Sequence, residues 1–378
     1  MKIVFTGGGS GGHFFPIIAV AESLTKLAYE EKYIKPKMYY FGPAKYDEEL
    51  LFDNDISFRK VVAGKRRVGY GRIRNFLDMF VMGWGILQAI WRMYRVFPDV
   101  VFSKGSYTSF PVLVAARFFG IPVIVHESDS RPGRANKWAG KFAEKVAVSY
   151  EQAAEFFPEE KIAYTGNPVR QDITDLPTKD EGLSFFELDN DVPTILVTGA
   201  SQGAQRINDV VLNVLPRMVK KYQIIHQTGP SNFEEIERTK EIILEYSEHK
   251  ERYKPVAFLD ANSLRHAAAA SDLVITRAGS SLFEIALWGI PSIVVPISVS
   301  NGDHQRTNAY AYTHNGAGIV IEENNLTSNI VLSQINTIFS NDSIRKQMGE
   351  AALKFAKKNA ADKIARALFD VGMKHQEK

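Results

Sequence analysis

The residues best suited to chemistry lie at the start of the chain, in a glycine-rich turn that ends in a histidine: Gly7, Gly8, Gly9, Ser10, Gly11, Gly12 and His13. The turn follows an apolar segment with a strand pattern and precedes an apolar segment with a helical pattern. At such a turn, glycine lets backbone N–H groups approach a phosphate, and the helix N-terminus favours negative charge. The pattern therefore predicts an anion-binding turn over residues 8–12, with His13 at its rim as a candidate general base.

Three of these glycines also satisfy G-x-G-x-x-G, the fingerprint of dinucleotide-binding enzymes: Gly7, Gly9 and Gly12. A nicotinamide-dependent enzyme also needs an acidic residue at the end of the second strand, where it binds the ribose hydroxyls. Here that strand ends in Gly42-Pro43, so the sequence disfavours a dehydrogenase. For one loop taken alone, a tight strand-to-helix turn that holds no ligand is an equally good interpretation.

Two later loops have side chains that could bind a sugar nucleotide. One has Ser280 and Ser281 at the start of a predicted helix and Glu284 in its first turn. The S-x-x-E spacing taken alone favours a capping box, and a carboxylate that binds both ribose hydroxyls is the alternative. The other loop has a polar cluster that could contact a sugar or simply be solvated: Asp303, His304, Gln305 and Asn308.

The sequence offers little for thiol or metal chemistry. The chain has no cysteine, which excludes disulfides, thiolate metal sites and cysteine nucleophiles. Outside polar turns such as residues 189–191 there is no Asp-x-Asp motif, so we expect a site without metal or other cofactor. His13 and His126 are the histidines nearest the predicted ligand loops, although a lone histidine is more often structural than catalytic.

Length and composition are those of a globular protein with about two domains. The chain has 378 residues, 45% of them hydrophobic and 24% charged. Its first residues enter a strand without the features of a secretory signal, so we expect a cytoplasmic protein. Residues 1–166 carry 23 Lys and Arg against 17 Asp and Glu, whereas residues 167–378 carry 23 against 26. The basic character therefore lies in the first half.

These loops can form one site only if the fold brings the ends of their strands together. The rest of the sequence predicts such a fold. Short β-branched runs alternate with amphipathic helices, as in parallel sheets covered by helices. We predict strands at residues 2–6, 38–41, 100–102, 123–126, 145–149, 161–166, 194–199, 223–229, 256–259, 273–276 and 292–296. The first helix is predicted to run from about Pro16 to Lys32. Because the opening IVFTGGGSGG resembles the later ILVTGASQGA, we expect two similar α/β domains, 1–166 and 167–357. A C-terminal helix near 358–378 is predicted to pack on the first domain.

Residues 59–104 form a basic and partly apolar segment, with ten Lys and Arg against two acidic residues. Its apolar run is interrupted by Asp78 and Gln88, and it is shorter than the roughly 20 residues needed to span a bilayer. A core helix flanked by solvated charges and a surface patch that faces anionic lipid are the two interpretations. We predict a mixture of the two.

Together these motifs resemble those of the MurG family, glycosyltransferases that add N-acetylglucosamine to a lipid-linked precursor of peptidoglycan. The motifs, in chain order, are GGGSGGHFFP (7–16), GSYTSFP (105–111), HESDSRPGRANKWA (126–139), GNPVR (166–170), GASQGAQRIN (199–208), TRAGSSLFEIALWGIPSIVVP (276–296) and DHQRTNA (303–309). They cover most of the chain, so the resemblance is far more specific than any one loop.

The resemblance implies a GT-B fold, two Rossmann-like domains with a cleft between them. It implies inverting, metal-independent transfer from UDP-N-acetylglucosamine to undecaprenyl-pyrophosphoryl-N-acetylmuramyl-pentapeptide, a step that supports cell-wall synthesis, cell shape and division. By matched motif, the implied donor-binding residues are Ser10, Gly11, Gly12, Asp129, Arg170, Ser201, Leu259, Gly279, Ser280, Ser281, Leu282, Phe283, Glu284 and Gln305. The implied acceptor and diphosphate residues are Gly8, Gly9, Tyr107 and Asn136.

For catalysis, His13 is the preferred base and Glu127 the alternative. The resemblance also implies a patch against the inner leaflet of the plasma membrane, formed by Arg66, Arg67, Arg72, Arg74, Phe76, Met79, Phe80, Trp84 and Trp91. Expected partners are the donor, the lipid-linked acceptor, anionic lipid and other cell-wall synthesis proteins, but not nucleic acid. The alternatives are a glycolipid synthase, a UDP-N-acetylglucosamine 2-epimerase and a non-catalytic sugar-nucleotide sensor.

Overall fold

The computed structural model describes residues 1–65, 72–199, 204–298 and 303–377, and for residues 72–75 it describes the backbone alone. The chain forms two compact units, one of Met1–Arg170 with Lys357–Lys378 and the other of Gln171–Ala356. The sequence-based expectation placed the first boundary at residue 166, and the structure divides the chain after Arg170. We call these unit 1 and unit 2 and describe each by itself.

Unit 1 contains a seven-stranded parallel sheet in the order β3-β2-β1-β4-β5-β6-β7. The strands are β1 (Lys2–Thr6), β2 (Lys37–Gly42), β3 (Ile56–Lys60), β4 (Val100–Ser103), β5 (Val123–Glu127), β6 (Lys145–Val148) and β7 (Ile162–Tyr164). The central strands β1, β4 and β5 are almost wholly buried because helices cover both faces of a parallel sheet. The chain reverses direction across the sheet between β1 and β4, which is where such sheets bind ligands.

The helices of unit 1 form a layer on each face of this sheet. They are α1 (Gly11–Glu30), α2 (Glu48–Asp53), α3 (Arg72–Val96), α4 (Phe110–Phe118), α5 (Arg134–Ala139) and, from the C-terminus, α14 (Ala360–Gln376). Helix α14 packs on α1, where Arg366 pairs with Glu31 and the rings of Tyr33 and Phe369 stack with centroids 4.7 Å apart. The C-terminal segment therefore completes the core of unit 1.

Unit 2 repeats the same topology with six parallel strands in the order β10-β9-β8-β11-β12-β13. The strands are β8 (Thr194–Thr198), β9 (Gln223–Gln227), β10 (Tyr253–Val256), β11 (Leu273–Thr276), β12 (Ser292–Val294) and β13 (Gly318–Val320). The helices are α6 (Lys179–Phe185), α7 (Gln205–Met218), α8 (Phe233–Ile243), α9 (Ala261–Ala270), α10 (Ser281–Trp288), α11 (His304–Thr313), α12 (Ser328–Phe339) and α13 (Asp342–Phe355). Its switch point lies between β8 and β11.

The strand prediction near residue 256 is wrong. Strand β10 ends at Val256, so residues 257–259 follow the strand instead of forming it. The sequence pattern also missed β3 and β13, and it began the first helix near residue 16, whereas α1 begins at Gly11. None of the helices in the described ranges combines the length and apolar character needed to cross a bilayer.

Candidate active site

The glycine-rich turn lies at the switch point of unit 1. Thr6, the last residue of β1, pairs with Ser103 at the end of β4, so the loops after these two strands are neighbours. Gly7 and Gly9 have φ angles of +129° and +93°, which residues with a side chain rarely adopt. The turn therefore depends on glycine for its backbone path as well as for close approach to an anion.

Packing from two neighbouring elements also holds this turn. The Tyr40 hydroxyl donates a hydrogen bond to the Gly7 carbonyl at 2.6 Å, and the Thr108 hydroxyl donates one to the Gly8 carbonyl at 3.4 Å. A Cβ atom added at Gly8 would lie 2.3 Å from Tyr40 Oη, so a larger residue there would displace the Tyr40 hydroxyl. These contacts fix the path of the loop.

The turn leads directly into α1, with Ser10 as the N-cap and Gly11 and Gly12 as the first two helical residues. The Ser10 side chain makes no capping hydrogen bond. In an α-helix, the N–H groups of these first positions have no intrahelical acceptor and attract anions. The predicted anion-binding turn therefore leads into a 20-residue helix whose first two residues are glycines.

His13 follows as the third residue of α1, and its ring contacts the neighbouring loop. His13 Nδ1 lies 3.3 Å from the carbonyl oxygen of Lys104, the first residue after β4. Because a carbonyl can only accept, Nδ1 carries the proton, and Nε2 is left as the basic nitrogen. Burial and the nearby Lys104 charge lower the pKa of His13 to about 4, so the imidazole is neutral at physiological pH.

Glu127, the alternative base, lies at the end of β5, and both of its oxygens accept internal hydrogen bonds. Oε1 accepts from the Asp129 backbone N–H at 2.9 Å, and Oε2 accepts from the Gly133 N–H at 3.1 Å and from Asn136 Nδ2 at 2.9 Å. Burial and the Asp129 charge raise the pKa of this carboxyl. Glu127 therefore holds the loop of residues 128–136 in place.

Asn136 and Gly105 complete this arrangement. Asn136 Nδ2 also donates to the His126 carbonyl at 3.0 Å. Gly105 has a φ of +88°, and a Cβ atom added there would lie 2.6 Å from Asn136 Nδ2. Tyr107 follows in a short 3-10 turn, and its Cε1 would lie 3.9 Å from a Cβ at Gly9. The predicted acceptor residues are thus close together, with Asn136 Nδ2 engaged internally and Asn136 Oδ1 buried without a hydrogen-bond partner among the described residues.

His126 and Arg170 have internal contacts in unit 1. Buried His126 has Nε2 at 3.0 Å from the Gly166 carbonyl oxygen, and burial lowers its pKa well below the usual value. This contact ties the segment that contains Arg170 to β5, which is a structural role. The Arg170 guanidinium lies 4.4 Å from the centre of the Phe15 ring in a cation–π contact.

Lys104 is the residue in this region that the sequence reasoning missed. Its side chain is fully buried, and Nζ has no hydrogen-bond partner among the described residues. Burial lowers the pKa of this ammonium group to about 8, and the charges of Glu127 and Asp129 act in the opposite direction. A lysine directly after the strand residues VVFS (100–103) was the available signal.

In unit 2 the described donor residues follow the ends of strands β10, β11 and β12. Helix α10 begins at Ser281 with Ser280 as N-cap, and the Ser280 side chain makes no capping hydrogen bond. The capping-box interpretation is therefore wrong: Ser281 lies inside the helix, and its hydroxyl has no hydrogen-bond partner in the described part of the chain. Glu284 lies in the first turn and is partly buried. Ser201 lies outside the described residues.

Several of the other predicted donor residues of unit 2 have backbone roles or internal contacts. The Leu259 N–H donates to Gln227 Oε1 at 3.2 Å, and Gln305 Oε1 accepts from the Ile297 N–H at 3.1 Å. Leu282 and Phe283 are buried, so only their backbone could meet a ligand. A Cβ atom at Gly279 would lie in open space. Residues 279–283 thus present backbone at the start of α10.

The predicted membrane patch lies on α3. Its large apolar side chains are 54% to 61% exposed: Phe76, Met79, Phe80, Trp84 and Trp91. The opposite face of the helix is buried through Ala89 and Met93. Arg66 and Arg67 lie outside the described residues, as do the side chains of Arg72 and Arg74. The described part of α3 thus has one core face and one exposed apolar face.

No metal-binding cluster is present in what the structure describes. Within the described ranges, no three His, Asp or Glu side chains lie close enough together to hold a metal ion. The site residues of unit 1 offer instead one neutral imidazole, a buried carboxylate, a buried ammonium group and a helix N-terminus. This set can accept a proton and bind an anion.

Comparison with known proteins identifies both units. Residues 3–148 match the glycosyltransferase family 28 N-terminal domain, and residues 194–364 match the glycosyltransferase family 28 C-terminal domain. The chain is 34% identical over 349 residues to a Bacillus cereus protein named UDP-N-acetylglucosamine--N-acetylmuramyl-(pentapeptide) pyrophosphoryl-undecaprenol N-acetylglucosamine transferase 2, covering 91% of this chain and 93% of the relative. It is also 34% identical to a Lachnoclostridium phytofermentans transferase of the same type, with 99% of each chain covered.

Solved structures show the same fold at lower identity. The crystal structure of Acinetobacter baumannii MurG aligns with a TM-score of 0.71 at 23% identity, covering 98% of this chain and 99% of that one. The UDP-GlcNAc 2-epimerase from Neisseria meningitidis bound to UDP-GlcNAc aligns with a TM-score of 0.67 at 14% identity, covering 98% and 100%. At these identities the likeness shows the fold alone.

Proposed function

Since this chain belongs to the MurG family within glycosyltransferase family 28, we propose that it transfers N-acetylglucosamine from UDP-N-acetylglucosamine to a lipid-linked N-acetylmuramyl-pentapeptide. The fold supports this proposal, because both units have the Rossmann strand order of the GT-B fold. The product is the disaccharide-linked lipid precursor of peptidoglycan.

The observation that carries the proposed mechanism is the contact of His13 Nδ1 with the Lys104 carbonyl oxygen at 3.3 Å. The Nδ1–H of His13 faces the Lys104 carbonyl, so Nε2 is the nitrogen that can take a proton. As the acceptor hydroxyl attacks the anomeric carbon, its O–H bond breaks and the proton goes to His13 Nε2. A new C–O bond forms at the anomeric carbon, and the electron pair of the sugar–phosphate bond leaves with UDP.

The contacts of Glu127 argue against its use as the base. Three N–H donors already hold its two oxygens, from residues Asp129, Gly133 and Asn136. Protonating the carboxyl during a reaction would weaken these charge-assisted hydrogen bonds and release the 128–136 loop. Glu127 is better suited to keep that loop fixed, and we assign it a positioning role.

For the donor, the first turn of α10 supports nucleotide binding. The backbone of residues 279–283 is presented at a helix N-terminus, and Gly279 leaves space beside it. Ser281 has a buried hydroxyl with no hydrogen-bond partner among the described residues, and Glu284 in the same turn supplies a carboxylate for the ribose hydroxyls. Leu259 and Gln305 are assigned to the uracil and sugar ends of the donor on the resemblance alone.

The negative charge that develops on the departing UDP needs stabilisation. We assign this role to helix N-termini and to Arg170, with no metal ion. The glycine-rich start of α1 is suited to this role, because its loop is held by hydrogen bonds from Tyr40 and Thr108. Activity that persists in excess chelator would support this assignment.

We also propose that the exposed face of α3 contacts the inner leaflet of the plasma membrane, which carries the acceptor. The five apolar side chains of the predicted patch are all more than half exposed, and Arg95 lies 4.9 Å from the Trp91 ring. Anionic lipid attracts each nearby basic side chain by about 1 kcal/mol, so apolar contact and charge act together. Reversible binding at the cytoplasmic surface is the expected result.

A transfer assay with labelled donor tests the proposed function. The protein is mixed with labelled UDP-N-acetylglucosamine and a short-chain lipid-linked muramyl-pentapeptide, and label in the extracted lipid is counted. Diacylglycerol is the competing acceptor, and donor alone reports any 2-epimerisation. Label in the muramyl lipid alone is expected. Label in diacylglycerol, epimerised donor, or donor binding with no reaction would contradict the proposal.

A further inference from the structure

Lys104 occupies the switch point of unit 1 through its backbone. Its N–H donates to the carbonyl of Thr6 at the end of β1 at 2.9 Å, and its carbonyl faces His13 Nδ1 at 3.3 Å. This one residue therefore connects β1, β4 and the first turn of α1. A change at Lys104 acts directly on the environment of the His13 ring.

Burial of the Lys104 side chain destabilises the folded state. The side chain is fully buried, and its ammonium nitrogen has no hydrogen-bond partner among the described residues. Burying a charge without hydrogen bonds destabilises a protein, and a methionine would fill a similar volume without that cost. A buried charge retained beside a candidate active site points to function.

Four titratable groups face the Lys104 ammonium. Two are carboxylates, Glu127 at the end of β5 and Asp129 in the following loop, and two are imidazoles, His13 on α1 and His126 on β5. The positive charge lowers the pKa of both histidines and also lowers that of Glu127. Neutral imidazole and ionised carboxylate are the states favoured by this charge.

We propose that Lys104, whose backbone carbonyl contacts the His13 ring and whose buried ammonium group has no hydrogen-bond partner among the described residues, is a positioning residue: its charge makes His13 less basic and favours the ionised form of Glu127. The imidazole, which burial already keeps neutral at physiological pH, accepts the proton of the acceptor hydroxyl, while the ionised Glu127 holds the 128–136 loop. The link to sugar transfer rests on the proposed function, but the effect on the two side chains does not depend on it.

The test replaces Lys104 with methionine and measures the titration of the histidine rings by NMR. The His13 signal is assigned by its loss in a His13→Gln variant. In Lys104→Met, the pKa of His13 should rise by about one pH unit, as expected for losing a unit charge at partly buried distances. Lys104→Arg keeps the charge and should restore the wild-type titration. Lys145→Met removes an exposed charge at the start of β6 and should leave His13 unchanged.

The pH profile of transfer gives the second readout. Because losing the charge raises the pKa of both His13 and Glu127, the acidic limb of kcat/KM should move to higher pH in Lys104→Met. A fall in activity with an unmoved limb would show a packing role and overturn the proposal. If Lys104→Met lacks the native circular dichroism spectrum, Lys104→Gln serves as the neutral variant.

These readouts separate failure of this proposal from failure of the proposed function. An unchanged His13 titration in the neutral variant overturns the role of Lys104, whatever the transfer activity. Wild-type protein that transfers no sugar contradicts the proposed function, and in that case the NMR titration alone decides whether Lys104 controls His13.

Discussion

Replacing Asn136 with alanine decides whether this predicted acceptor residue binds substrate or holds the active-site loop. The side chain is 3% exposed, and its amide donates to Glu127 Oε2 at 2.9 Å and to the His126 carbonyl at 3.0 Å. A hydrogen bond to a charged group contributes about 1.5–3 kcal/mol and one to a carbonyl about 0.5–1.5 kcal/mol. Asn136→Ala should therefore lower the free energy of unfolding of unit 1 by about 2–4 kcal/mol.

Urea unfolding followed by tryptophan fluorescence measures this loss in the full chain. Three of the four tryptophans are in unit 1, at positions 84, 91 and 138, so the fluorescence transition reports mainly that unit. Asn54→Ala is a matched control, because it removes one side-chain hydrogen bond, from Asn54 Nδ2 to the Leu50 carbonyl at 3.0 Å. Asn54→Ala should lower the free energy of unfolding by about 1 kcal/mol or less.

The activity of the same variant separates the two roles. If Asn136 holds the loop, transfer should fall together with stability. Unfolding within about 0.5 kcal/mol of wild type, combined with a raised KM for the acceptor, would refute the structural reasoning. Asn136 would then be a substrate-binding residue, as the sequence resemblance implied.

Three further outcomes are expected. His13→Gln should lower kcat by about 10²–10⁴-fold with an unchanged Kd for UDP-N-acetylglucosamine, measured by calorimetry, and a loss below tenfold would exclude His13 as the base. Burial lowers the pKa of His226 to about 3 in the folded state. The unfolded state therefore binds the proton first, and stability should fall as pH drops from 6.5 to 3, by up to about 5 kcal/mol. His226→Gln should flatten that dependence in acid unfolding curves, and an unchanged curve would contradict it. Trp84→Ala should weaken flotation with anionic vesicles, whereas equal flotation would remove α3 from membrane contact.

The glycine-rich turn could be predicted because its signals are local. A strand pattern, five glycines and a helical pattern follow one another within about 30 residues, and the structure places β1, the turn and α1 in that order. The repeat of this unit predicted the second domain, and the motifs in chain order predicted the family, which the comparisons confirm. The start of α1 was placed too late because Gly11 and Gly12 have low helix propensity.

The elements that the sequence missed are short and depend on distant partners. Strand β13 has three residues, and it becomes a strand by pairing with β12. Strand β10 contains Pro255 and ends before the apolar residues 257–259, so the apolar run pointed to the wrong segment. Strand β3 is an edge strand with mostly exposed residues, which weakens its hydrophobic pattern.

The sequence predicted where the site residues lie, but not which side chains contact each other. The sequence could place Glu127 and Asn136 near the glycine-rich turn, but not show that they bond to each other. It could not show that Lys104 is buried either, because that depends on helices and strands folding around it. The same limit explains the capping-box error, since a one-residue shift in the start of α10 removes the motif.

The most direct test of the central claim is acceptor-dependent release of UDP in excess chelator. UDP is measured by a coupled assay after mixing the protein, UDP-N-acetylglucosamine and a short-chain lipid-linked muramyl-pentapeptide, with and without the acceptor. The account predicts UDP release that requires the acceptor, survives the chelator and disappears in His13→Gln. UDP binding without acceptor-dependent release, or release that the chelator abolishes, would contradict it.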